Sequence, residues 1–91
     1  MRFEWDEKKR IINIKKHGID FIDVLAMFKF DTVTVVDDRF EYEEVRYQTL
    51  GLIKNHVILV VHTESETVIR IISARKATKH EEKIYFNQIT D

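Results

Sequence analysis

The sequence predicts an α+β domain: two N-terminal helices after a short strand, a four-stranded antiparallel meander, and a C-terminal helix. Three observations carry that prediction. Apolar residues recur with a helical period over residues 20–28, β-branched runs take over from residue 32, and a complete helix-start signal stands at Thr78. Ninety-one residues make one domain, 1–91.

Taken in order, "RFEW" (residues 2–5) suits a short opening strand. Asp6 is placed to cap a helix through "EKKRIINIKKHG" (residues 7–18), in which Ile11, Ile12 and Ile14 give an imperfect apolar stripe. Gly18 suits the left-handed position after the last turn, and Lys15, Lys16 and His17 sit where the helix dipole favours cations. Asp20 caps a second helix, whose Phe21, Val24, Leu25 and Phe28 mark a core face, with Ile19 able to staple against Val24.

"TVTVVD", "VRYQTLGLI", "VILVVHT" and "VIRIISA" then read as strands separated by polar breaks, with Lys54-Asn55 and "ESET" as tight turns. "VILVV" is apolar enough to lie centrally in the sheet. Thr78-Lys79-His80-Glu81 matches the capping box, and helix 79–89 presents Ile84, Tyr85, Phe86 and Ile89.

Composition narrows the function classes. A chain this size buries only about two-thirds of its unfolded surface. With no cysteine, the core rests on the 44% apolar residues or on a partner that covers what remains bare. The missing cysteines fit a reducing compartment. There is no apolar run of membrane-spanning length and no signal-peptide core, so a soluble cytoplasmic protein that makes no membrane contact is expected.

Net charge is −1, but its distribution is uneven. Residues 1–17 hold six cations against three acids, residues 31–46 six acids against two arginines, and residues 70–83 five cations against two acids. Such blocks permit one basic face on a neutral molecule.

The last block, within "RIISARKATKHEEKIYF", is the candidate anion site. A strand ends in Arg75-Lys76 and a capped helix follows at once, so guanidinium forks and unpaired helix amides lie close together. Lys79 and Lys83 read as a solvated helix face, and Glu81 is needed for the cap. Arg70, inside an apolar strand, requires a partner: a carboxylate from the acidic middle, or a ligand. Regular strand parity puts Arg70 with Ile72 and Ala74, and Arg75 on the opposite face with Ile71 and Ser73. Arg46 could reach a common cleft from a neighbouring strand.

Among the histidines, His56 and His80 read as exposed and His62 as a hydrogen-bonded strand residue. His17 is either an acid/base group or a helix-end cation. Ser73 has no base positioned for it by sequence. Asp37, Asp38, Glu41, Glu43 and Glu44 could attract a divalent ion but read more simply as a polar loop. No metal or cofactor motif is present.

The segments "FEWDEKKRIINIKKHGIDF", "LGLI" and "RIISARKATKHEEKIY" together resemble the BrnT toxins of bacterial type II toxin–antitoxin pairs, in order and spacing over nearly the whole chain. The resemblance implies a RelE-like fold that meets RNA on the open side of its sheet, and a ribonuclease that arrests translation and growth. It also implies a cognate antitoxin, usually of ribbon-helix-helix type, in a 2:2 complex that binds operator DNA.

The family's motif residues here are Lys16, His17, Arg70, Ser73, Arg75, Glu82 and Tyr85. Metal-independent cleavage by the RNA's own 2′-hydroxyl would use Arg70 and Arg75 on the phosphate. His17 leads as acid or base, with Lys16, Glu82 and Tyr85 as further proton-handling candidates. Arg46, Lys76 and Ser73 are expected RNA contacts. A non-catalytic module that docks an antitoxin or nucleic acid is the main alternative, and a structural subunit with a solvated basic helix the third.

Overall fold

A computed structural model describes residues 1–38 and 44–90. In chain order the elements are β1 (Arg2–Trp5), α1 (Glu7–His17), α2 (Phe21–Met27), β2 (Val33–Asp37), β3 (Arg46–Ile53), β4 (His56–Glu64), β5 (Val68–Lys76) and α3 (Lys79–Ile89). The sheet order is β1-β5-β4-β3-β2. Strands β2 to β5 form the expected antiparallel meander, and β1 pairs parallel to β5.

The α+β class and the three helices hold. The sheet, however, is five-stranded and mixed, so the four-stranded antiparallel, RelE-like expectation is not matched in detail. The cause is the free edge of β5, on which Phe3 aligns with Ile69 and Trp5 with Ile71. An alternating four-residue segment can bury its two aromatics there by adding to the edge.

Local signals explain most of the elements. The Asp6 carboxylate accepts from the N–H groups of Lys8 and Lys9, at 2.8 and 3.3 Å. Gly18 stops α1 at φ 72°, its N–H donating to the Ile14 carbonyl. Asp20 accepts from the Ile22 N–H. Lys54 and Asn55 both take positive φ, as a two-residue hairpin turn requires. At α3 the Thr78 hydroxyl accepts from the Glu81 N–H at 3.1 Å while the Glu81 carboxylate accepts from the Thr78 N–H at 2.8 Å.

The two sheet faces bury separate clusters. Phe21, Val24 and Met27 of α2 pack on Ile58, Val60, Ile69 and Ile71. Gly51 admits this approach, because a Cβ there would fall 2.5 Å from Met27 Cγ. On the other face Tyr85 of α3 covers Leu50, Val57 and Leu59.

Helix α1 departs from its predicted stripe. Its buried residue is Asn13, while Ile11, Ile12 and Ile14 are exposed. The Asn13 amide donates to the carbonyls of Ile19 and Ala74, both at 2.9 Å, and its Oδ1 accepts from the Ala74 N–H at 3.1 Å. β1 reaches only to Ile71 along β5. Beyond it, one side chain supplies both bonds that a neighbouring strand would have made to Ala74.

His62 is a hydrogen-bonded strand histidine, as expected. Fully buried, it sits between Tyr47, stacked at 5.8 Å, and Phe28, edge-on at 5.4 Å. Its Nε2 lies 2.7 Å from Thr49 Oγ1, which lies 2.8 Å from Thr34 Oγ1. Burial lowers its pKa below the ordinary 6.5.

Replacing Asn13 by Ala strands the Ala74 N–H and C=O, and is expected to cost roughly 2–4 kcal/mol in urea unfolding. The depressed His62 value means that the unfolded chain binds the proton first. Stability is therefore complete above pH 6.5 and declines as pH falls from there toward the folded-state value. Denaturation midpoints between pH 8 and pH 5 should show this slope, and His62→Gln should flatten it.

Candidate functional site

The site begins with an irregularity in β5. Val61 pairs with Ser73 but His62 pairs with Ile71, so Ile72 is left over as a β-bulge. Arg70 then aligns with Thr63, Ser73 with Val61 and Arg75 with Leu59. Thr63, Val61 and Leu59 alternate along β4 and share a face. Arg70, Ser73 and Arg75 therefore stand on one face of the sheet, opposite Ile69, Ile71 and Ala74. Regular parity had separated the two arginines, and the extra residue reverses that separation. Arg46, next to Tyr47, which pairs with His62, alternates onto the same face.

The arginines are held by different carboxylates. Arg70 Nη1 donates to Glu4 Oε1 at 3.2 Å, with both side chains about half exposed. Its partner comes from β1, the strand beside it, and not from the acidic middle of the chain. This pair borders an open cleft of about 600 Å³ whose lining includes Arg2, Tyr47, Thr63 and Ser65.

Arg75 is gripped at both Nη atoms by Glu81, at 2.8 and 3.0 Å, and Nη1 also donates to the Lys76 carbonyl at 3.1 Å. Of its five N–H groups, those contacts leave one on Nε and one on Nη2 for a ligand. These arginine bonds, ahead of the Thr78 N–H, push the Glu81 acid down to about 2. Glu81 thus caps α3 and bolts it to β5. Arg75 stands five positions after Arg70, roughly 15 Å along a strand. At that spacing the two guanidinium groups are too far apart to hold one phosphate together.

A second, smaller cleft of about 110 Å³ lies where β5 passes into α3, and brings Lys76 and Glu82 together with His56, Asn55 and Phe86. Lys79 approaches the Glu82 carboxylate at 4.0 Å. The sequence marks His56 only as exposed, and it is exposed here. A signal was nonetheless present: the two-residue turn at Lys54-Asn55 starts β4 at His56, and an antiparallel β4–β5 pair brings that start to the end of β5. The Ala77 N–H donating to the Val57 carbonyl at 2.9 Å closes this junction.

Lys16 and His17 occupy the last turn of α1, the former exposed and the latter half-buried. Because Trp5 stands beside Ile71 and Asn13 on Ala74, α1 advances along β5 toward its Lys76 end. Among the described residues no hydrogen bond or ion pair joins Lys16 or His17 to Arg70, Arg75 or Glu82. Tyr85 is in the core, its hydroxyl donating to the Asp31 carbonyl at 3.0 Å and its pKa raised by burial. Arg46 pairs across β2–β3 with Asp37, itself buried. Of the acidic cluster, Glu41 and Glu43 lie outside the described residues.

The fold is thus a small α+β domain whose sheet carries Arg46, Arg70 and Arg75 on one face. The family model for the ribonuclease toxin BrnT of type II toxin–antitoxin systems matches residues 5–81, and the chain belongs to that family. An antitoxin partner is implied by the same membership. No curated protein matches the chain. Among the described residues no helix is long and apolar enough to cross a membrane.

The Glu81 pair should be visible in acid unfolding. With a folded value of about 2 against the ordinary 4.5, its stabilisation is complete above pH 4.5 and is lost as pH falls toward 2. Glu81→Gln should remove that part of the acid transition and loosen α3, read by hydrogen exchange at residues 79–89.

Proposed function

We propose that this toxin cleaves RNA without a metal ion on the sheet face bearing Arg46, Arg70, Ser73 and Arg75, arresting translation and growth in the cytoplasm. The observation that carries the reading is the bulge at Ile72, which aligns Arg70, Ser73 and Arg75 on one face in a chain of a ribonuclease toxin family. The neutralising partner is a cognate antitoxin of ribbon-helix-helix type, in a 2:2 complex that binds operator DNA through the antitoxin. Meeting RNA on a face of the sheet is the RelE-like feature that this reading retains.

The chemistry follows from what the 2′-hydroxyl needs. A base takes its proton, the oxygen attacks the adjacent phosphorus in line, and an acid protonates the departing 5′-oxygen. Charge accumulates on the non-bridging oxygens, and Arg75, with two N–H groups remaining, is the group to stabilise it. Arg70 holds a flanking phosphate and Ser73 the backbone between them.

His17 leads for proton transfer. His56 joins it, since it shares a cleft with Lys76 and Glu82 at the Arg75 end of β5. Lys16 and Glu82 are the remaining proton-handling candidates. Tyr85, with its hydroxyl given to Asp31, anchors α3.

One observation favours the alternative, a non-catalytic docking module: both Arg70 and Arg75 already hold carboxylates of their own chain. Cleavage of RNA by the purified protein in excess chelator separates the two readings. Arg75→Lys keeps a cation beside Glu81 but loses the fork, and is expected to lower the cleavage rate by about 10²-fold or more. Arg70→Ala should instead weaken RNA binding and reduce its salt dependence by about one phosphate contact. Full toxicity in both variants, with folding intact by circular dichroism, would overturn the assignment.

A further inference from the structure

Helix α1 turns its apolar residues outward. Ile11 is 45% exposed, Ile12 60% and Ile14 37%, while the inward position is occupied by Asn13. Packing within the chain does not explain these isoleucines. Helix propensity does not explain them either, because β-branched residues lose side-chain freedom in a helix. Three exposed isoleucines in one helical turn are the kind of surface that a partner covers.

The charges around them indicate what kind of partner. Helical spacing sets Lys8 three residues before Ile11 and Lys15 four after it, with Ile14 three after, so these side chains interleave on one surface. Lys8, Lys9, Lys15 and Lys16 are all exposed. The acid on the helix, Glu7, is occupied by Arg10 at 2.6 Å and by the Trp5 indole N–H at 3.2 Å. The surface is thus apolar and basic.

We infer that the outward face of α1 is the docking surface for the antitoxin, through an antitoxin segment in which apolar and acidic side chains alternate. The inference rests on the chain's membership of a toxin–antitoxin family and goes beyond it in naming the surface and the chemistry of the bound segment. A second copy of this chain is disfavoured, because pairing α1 with itself would set lysines against lysines. RNA would use the lysines but leave the isoleucines without a role. Docking here also reaches the last turn of α1, where Lys16 and His17 stand.

The test uses the full chain and, as probe, the purified antitoxin encoded by the reading frame adjoining its own. Ile11→Ser/Ile14→Ser and Lys8→Glu/Lys15→Glu are each expected to weaken binding about tenfold or more in calorimetric titration. The lysine variant should also flatten the salt dependence. Both should keep the wild-type melting temperature and RNA cleavage, since none of the four residues belongs to the proposed catalytic set.

Wild-type affinity in both variants, or no binding by the wild-type chain, overturns the inference. So does a wild-type dimer that Ile11→Ser/Ile14→Ser dissociates, which would make the occupant a second copy. Loss of RNA cleavage in Lys8→Glu/Lys15→Glu would make the surface an RNA contact and overturns it as well. Failure of the wild-type protein to cleave RNA counts against the proposed activity and leaves the binding result intact.

Discussion

Much of this molecule depends on how the backbone of Ala74 is satisfied. An unpaired N–H and C=O on the edge of a buried strand cost as much as lost hydrogen bonds, and β1 is too short to pair with them. Asn13 meets both from the side of a helix and, through Ile19, ties down the connection from α1 to α2. An asparagine on the inner face of α1 excludes the isoleucines from it. A leucine at position 13 would pack acceptably and leave the strand edge unsatisfied.

The bulge at Ile72 has comparable reach over the opposite face. In a half-buried strand, inserting one residue exchanges the faces of everything beyond it. Here the exchange keeps Ile69, Ile71 and Ala74 together in the core while Arg70, Ser73 and Arg75 share the other side. Core burial and arginine alignment are satisfied by the same irregularity. Glu81 then sets how strongly Arg75 is committed to the protein itself, through a carboxylate that also closes the first turn of α3.

Elements whose signals are local were legible in the sequence. The Asp6 and Asp20 caps, the capping box at Thr78, the Lys54-Asn55 turn and the four meander strands appear where predicted, to within a residue or two at their ends. Non-local features were not legible. Nothing in "RFEW" specifies that it pairs parallel with residues 68–71, and no glycine marks the bulge at Ile72. Asn13 resembles a solvent residue until the length of β1 is known. The same holds for the site. Arg70 and Arg75 could be nominated by residue type, but their shared face needed the bulge, and His56 needed the β4–β5 register. The buried position of Tyr85 depended on α3 lying across Leu50 and Leu59.

The pairing of β1 with β5 also bears on the order in which the chain can assemble. Arg2 and its partner Val68 are separated by two helices and three strands. Asn13 likewise waits for Ala74. Contacts of such long sequence separation form late and slowly, and chains are synthesised from the N-terminus. A nascent or truncated chain that stops before β5 has no edge on which to seat α1, and no Arg70 or Arg75. In a chain of a ribonuclease toxin family, the fold itself postpones the face bearing Arg70 and Arg75 until β5 has been made.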